Sequence, residues 1–244
     1  MGIYDSPFTF GGVDLYDFIP HPRIQRPISA PVEVDGVSMP NQAGETYVSA
    51  QYQPMEVTVT GNLPVWDVSD VPAMADALAM ALSPIDGEQW REQRLVLPDR
   101  PGRWWYATCV RKEIGREAQR PPVSLTFRMS DPIAYGELRQ ASISPGTTVN
   151  TVTVGGTYRS YPERIITSGG TSAVVVCNGK RLQPYSSDGA LSGDVTFYPR
   201  QMRTTVGSTE TAITLTSDYW ALVPGENAIT ASSSTTIEYY ERWQ

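Results

Sequence analysis

Residues Ser217 to Thr230, reading SDYWALVPGENAIT, decide the fold. The aromatic pair Tyr219–Trp220 is followed by a Leu-Val-Pro-Gly-Glu-Asn turn and then by residues suited to a strand. Pro224 pre-sets φ and Gly225 accepts a positive φ, so the chain reverses tightly here. Asn227 to Ala231 and Thr235 to Trp243 are then expected as the last two strands of a sandwich, joined as a closing hairpin.

Upstream of this stretch the same grammar repeats. Thr148–Val154, Glu163–Thr167, Ala173–Cys177, Asp194–Tyr198, Arg203–Val206 and Thr211–Thr214 are short β runs. Asn178-Gly179 between Cys177 and Lys180 is a strong two-residue hairpin signal. Strands at intervals of about ten residues indicate a β-sandwich. Residues 141–244 hold 30 Ser+Thr, against 14 in residues 1–140, and their net charge is −1 against −6. Two domains, 1–140 and 141–244, follow from this shift, with ASISPGT as the linker.

In the first domain Phe8 to Leu15 reads as an opening strand bent at Gly11-Gly12. Pro20, Pro22, Pro27 and Pro31 make Ile19 to Ala30 an extended, strand-poor arm, because Pro donates no ladder hydrogen bond. A stiff arm costs less entropy to order, so it is expected to bridge to a neighbouring subunit. Val32 to Val37 and Glu56 to Gly61 alternate as half-buried strands, the second with Val57 and Val59 inward. Asp70 to Ser83 is the one convincing helix: Ser69 or Asp70 caps it, Pro72 suits its first turn and Pro84 ends it. Its stripe of Val71, Met74, Ala75, Leu78 and Leu82 is spaced to lie on a sheet. Arg94–Leu97, Trp104–Arg111 and Val123–Met129 complete the strands, the last with Val123, Leu125, Phe127 and Met129 inward.

Length, apolar fraction (40%) and charged fraction (18%) are those of a folded chain. No run of about 18 apolar residues is available to cross a membrane. The start, MGIYDSPFTF, has neither the basic residues nor the apolar run of a signal peptide, so folding in a cytosol is expected. A net charge of −7 disfavours tight nucleic-acid binding. The basic run Arg111 to Arg120 carries Glu113 and Glu117 and reads as a solvated hairpin tip.

The chemistry of catalysis has few carriers. Cys109 and Cys177 sit in β-like runs without a second Cys or a His nearby, which favours buried, reduced thiols over a metal site. The single histidine, His21, lies between two prolines, a poor support for a nucleophile-activating relay. Glu163, Asp188, Asp194, Asp218, Glu226, Glu238 and Glu241 are available for a paired-carboxylate glycanase, but no motif pairs them. Trp104 and Tyr106 share a face and could stack a sugar, although one face of a core is the preferred reading. No catalytic, cofactor-binding or metal-ligating residue is assigned, and no cofactor is expected.

The order of motifs along the chain resembles one family. FTFGGVDLYDF at the start, VDGVSMPNQAG before VTVTGNL, a single helix, FRMSDPIAY, GTYRSYPERIITSGG and the closing Pro-Gly segment are together similar to siphophage distal tail proteins. The resemblance implies a mainly β protein: an N-terminal β-barrel/sheet domain with one α-helix, and a C-terminal galectin-like β-sandwich. It implies a structural virion protein and not an enzyme. Six copies would form a ring joining the tail tube protein to the tail-tip hub, with receptor-binding proteins as further partners. DNA would pass the lumen only transiently, and the acidity of residues 1–140 would repel phosphate. The tail tip of the virion is the implied location, after assembly in the bacterial host cytoplasm. A glycan-binding adhesin with exposed co-facial aromatics around Tyr219 and Trp220 is the alternative.

Overall fold

The computed structural model describes residues 6–41, 43–83, 85–86, 89–115, 119–186 and 189–244. It divides into two compact units, residues 1–134 with Gln244, and residues 135–243.

The first unit holds β1 (Thr9–Phe10), β2 (Val13–Asp14), β3 (Arg23–Gln25), β4 (Val32–Ser38), β5 (Glu45–Tyr52) and β6 (Met55–Asn62). After these come α1 (Val71–Ala81), β7 (Ile85–Asp86), β8 (Gln89–Trp90), β9 (Gln93–Val96), β10 (Trp104–Ile114) and β11 (Pro122–Met129). β10 joins two antiparallel layers. Trp104–Ala107 pair with β9, which pairs with β1, whereas Thr108–Ile114 pair with β11, which pairs with β6. A bulge between Cys109 and Arg111 marks the change, as expected where a strand turns a sheet corner. Phe10 from the first layer meets Phe127 from the second at 5.2 Å between ring centroids. Around that pair Val57, Val59, Leu95, Leu97, Leu125 and Met129 are buried.

Alternation on β6 and β11 puts Val57, Val59, Val123, Leu125, Phe127 and Met129 inside, as the sequence requires. Gly11 and Gly12, both at positive φ, turn the opening segment into a β1–β2 hairpin. The helix is one turn shorter than expected. Val68–Asp70 form a 3-10 turn whose cap is Asp67; its Oδ1 accepts from the Ser69 N–H, which holds the carboxyl below the ordinary aspartate range. Pro84, expected to end the helix, lies outside the described residues. Leu78 and Leu82 are the buried members of the stripe.

The second unit holds β12 (Ala134–Ile143), β13 (Gly146–Val154), β14 (Arg164–Thr167), β15 (Val175–Cys177), β16 (Lys180–Leu182) and β17 (Pro184–Tyr185). It continues with β18 (Val195–Tyr198), β19 (Arg203–Val206), β20 (Thr209–Ile213), β21 (Gly225–Ala231) and β22 (Thr235–Trp243). One sheet runs β17-β20-β19-β18-β14-β22-β12 and the other β13-β21-β15-β16. Their inner faces enclose Val154, Ile165, Val175, Phe197, Trp220, Leu222, Ile229 and Ile237, which makes a β-sandwich. The fold class is mainly β, as read from the sequence.

Two expectations for this unit need correction. The final strands are not a hairpin: β21 pairs with β13 and β15, whereas β22 pairs with β14. Ser232–Ser234 carry the chain from one sheet to the other, because Ala231 and Thr235 both turn inward and the Ser232 N–H donates to the Val174 carbonyl. ASISPGT is not an open linker either. Ala141–Ile143 finish β12 and Gly146 begins β13.

Candidate assembly interface

The Pro-Gly stretch is built around one buried side chain. Asn227 is fully buried; its Nδ2 donates to the carbonyls of Val223 (2.8 Å) and Gly225 (3.1 Å), and its Oδ1 accepts from the Val223 N–H (2.9 Å) and from Asn178 Nδ2 (3.0 Å). Gly225 has φ of 93°, as a turn of this kind demands. Asn178 and Gly179, also at positive φ, form the expected reversal, and Asn178 Oδ1 accepts from the Ala228 N–H. One asparagine therefore ties two turns to one sheet.

The residues considered for chemistry are dispersed. Arg164 grips Glu238 through both nitrogens (2.5 and 2.9 Å), Arg200 meets Glu163 at 3.3 Å, and Lys180 meets Asp218 at 3.0 Å. Glu241 accepts from the Gly155 N–H and lies 3.9 Å from Arg139. Glu226 is exposed on β21, Asp194 is exposed next to β18, and Asp188 lies outside the described residues. No group of three or more His, Cys, Asp and Glu among the described residues could hold a metal ion. His21 is exposed beside a surface groove. Both cysteines are free and buried, and burial pushes their thiols up to about 11.

Nor do the two aromatic pairs singled out in the sequence, Tyr219–Trp220 and Trp104–Tyr106, present an open stacking face. Trp220 is buried and the Tyr219 hydroxyl bonds Thr204 Oγ1 at 2.8 Å. Trp104 is buried edge-on to Tyr106, with the Arg94 guanidinium 4.7 Å from its ring centroid. Trp105, on the opposite side of the strand, is buried too and donates to the Pro132 carbonyl. In the Arg111–Arg120 run, Arg111 lies 3.9 Å from Glu113, and residues 116–118 are outside the described set.

The proline arm is docked on its own unit and does not stand free. Ile19 is fully buried and Arg23–Gln25 pair with β6. Arg26 meets Asp99 at 3.1 Å and lies over the Trp105 ring, with burial pulling its pKa down. Three consecutive residues between prolines keep enough N–H donors for an edge strand, which the proline count concealed. Gly61 makes the docking possible: a Cβ there would stand 2.3 Å from Ile19 Cγ2.

What does project is the β4–β5 ribbon. Among the described residues these two strands pair only with each other, and every residue of β4 is exposed. Their register places Val32, Val34, Ala50 and Tyr52 on one face and Glu33, Asp35, Ser49 and Gln51 on the other. The polar face is knit by Ser49 to Asp35 (2.8 Å) and Gln53 to Glu33 (2.6 Å). Past a bulge at Asp35/Gly36, Tyr47 and Val48 add further exposed apolar surface. Val32 to Val37 was expected to be half-buried, and β5 was not foreseen; the alternation was legible, but no described residue of the unit covers the apolar face. A lone two-stranded hairpin is marginal in water. One with a clean apolar face marks a surface that association covers.

The second unit carries a match that names it. Residues 155–243 match the family model described as siphovirus-type tail component, C-terminal domain. This unit belongs to the siphovirus-type tail components. The distal tail resemblance read from the motif order is thereby borne out. The fold agrees over nearly the whole length: the Dit protein of phage SPP1 superposes with a TM-score of 0.75 at 16% identity, covering 98% of this chain and 99% of that one. That protein is described as a paradigm of the hub adsorption apparatus in phages infecting Gram-positive bacteria. No curated protein sequence matches.

Proposed function

We propose that this tail component is the distal tail protein of a siphophage: six copies close into a ring that joins the tail tube to the tail-tip hub, at the host-adsorbing end of the virion. The first units form the ring and the second units lie outside it. The exposed apolar face of the β4–β5 ribbon carries this reading, because it is patterned for burial and no described residue of its own unit buries it. The ribbon, in place of the docked proline arm, is the segment that reaches the neighbour. The net charge of −6 over residues 1–140 keeps a passage lined by these units repulsive to phosphate, so DNA slides through without sticking.

The protein works by shape and association and performs no reaction of its own. The dispersal of Glu163, Asp218, Glu238 and Glu241, each beside a different cation and not converging on one another, supports this. Negative-stain imaging of the purified chain tests the proposal. Closed rings about 100 Å across with peripheral lobes are expected from six two-domain copies. Single particles alone at micromolar concentration would defeat it.

A further inference from the structure

A ring closed by rotation repeats one head-to-tail contact, so each copy must present two different and complementary surfaces. The ribbon is one. Its charge points to the other. Residues 27–90, which include the ribbon, contain no Lys or Arg and nine Asp or Glu, whereas residues 91–140 contain ten Lys or Arg and six Asp or Glu. Such segregation within one folding unit disfavours ribbon against ribbon, where Glu33, Asp35 and Glu45 would meet their own copies.

We infer that the ribbon docks on the next copy of this chain in the groove beside Arg23 and Arg120. This rests on the ring reading above and names the acceptor surface. The groove has a volume of about 690 Å³ and is lined by Pro20, His21 and Arg23 from the arm and by Ile114, Arg120 and Pro122 from the β10–β11 end. Its walls therefore combine apolar surface with cationic heads, the complement of a ribbon that is apolar on one face and acidic on the other. Glu113 also lines it, but lies 3.9 Å from Arg111 and does not reverse the sign. Arg120 is held in place: its N–H donates to the Val65 carbonyl, and its guanidinium lies 4.3 Å from the ring centroid of Trp66, itself 66% exposed. Trp and Arg are among the residue types enriched at the energetic centres of protein interfaces, and here an exposed tryptophan is stacked by an arginine that lines the groove.

Sedimentation velocity on four samples tests the docking. The wild type comes first, because a monomeric wild type removes the ring and this inference together. Given an assembling wild type, a ribbon reversal (Glu33→Lys, Asp35→Lys, Glu45→Lys) and a groove reversal (Arg23→Glu, Arg120→Glu) should each weaken assembly about tenfold or more. Mixing the two reversed proteins should restore assembly with the copies alternating, since each ribbon then meets a groove of opposite sign. A groove reversal that assembles as tightly as wild type, or a mixture that stays dissociated, overturns the acceptor while leaving the ring in place. Far-ultraviolet circular dichroism reports the fold of each variant, and should a reversal misfold, the Arg23→Gln, Arg120→Gln pair reads the same contact.

Discussion

Replacing Val34 and Tyr47 together by serine removes the apolar side chains that the ribbon holds furthest into solvent on its two strands. They are 60% and 66% exposed. Fully burying such side chains is worth about 1.5–3 kcal/mol each, so covering the exposed part contributes about 1–2 kcal/mol apiece. The pair therefore supports each subunit contact by about 2–4 kcal/mol, and its loss weakens that contact roughly 30- to 1,000-fold. The isolated unit loses almost nothing, because both side chains already face water; unfolding free energy should move by no more than about 0.5 kcal/mol. Light scattering across a dilution series reads the first quantity and thermal unfolding of the dilute protein the second. An assembly unchanged in mass, or a dilute protein that melts many degrees lower, refutes the assignment of the ribbon to association.

Three further outcomes follow from single sites. Gly61→Ala puts a methyl into Ile19 and should cost about 1–3 kcal/mol of stability with faster exchange of the arm's amides; an unshifted melting temperature argues that the arm is not docked. Asn227→Ala strips hydrogen bonds from buried backbone groups of the Pro-Gly turn and should cost about 2–4 kcal/mol in denaturant titration, and a loss below half a kcal/mol contradicts its organising role. The two thiols, raised by burial from 9.0 in the free side chain to about 11, should resist a thiol reagent at pH 8 until the protein unfolds. Because the folded value is the higher one, their contribution to stability is full below pH 9 and is lost as pH rises toward 11. Rapid labelling of the folded protein at pH 8 would contradict the burial.

Much of the architecture was legible because alternation reports a strand's buried face directly. β6 and β11 show this, as do the Asn178-Gly179 turn and the helix with Pro72 in its first turn. Alternation does not report which strand is the neighbour. β21 and β22, three residues apart, look like a hairpin locally, yet the inward turn of both Ala231 and Thr235 sends them to different sheets. Prolines in the arm likewise hid a three-residue edge strand. The ribbon shows the opposite limit: its apolar face was visible at Val32 and Val34, but that it stays exposed depends on how the rest of the unit packs, which no local pattern reports. Asn227 was read as part of a turn, and nothing local in the sequence marks it as fully buried.

Closure of this chain into a ring through the ribbon is weighed directly by native mass spectrometry of the wild type. A dominant species of six times the 26.8 kDa chain is expected, replaced by single chains in the Val34→Ser, Tyr47→Ser variant. A wild type that remains a single chain at micromolar concentration contradicts it.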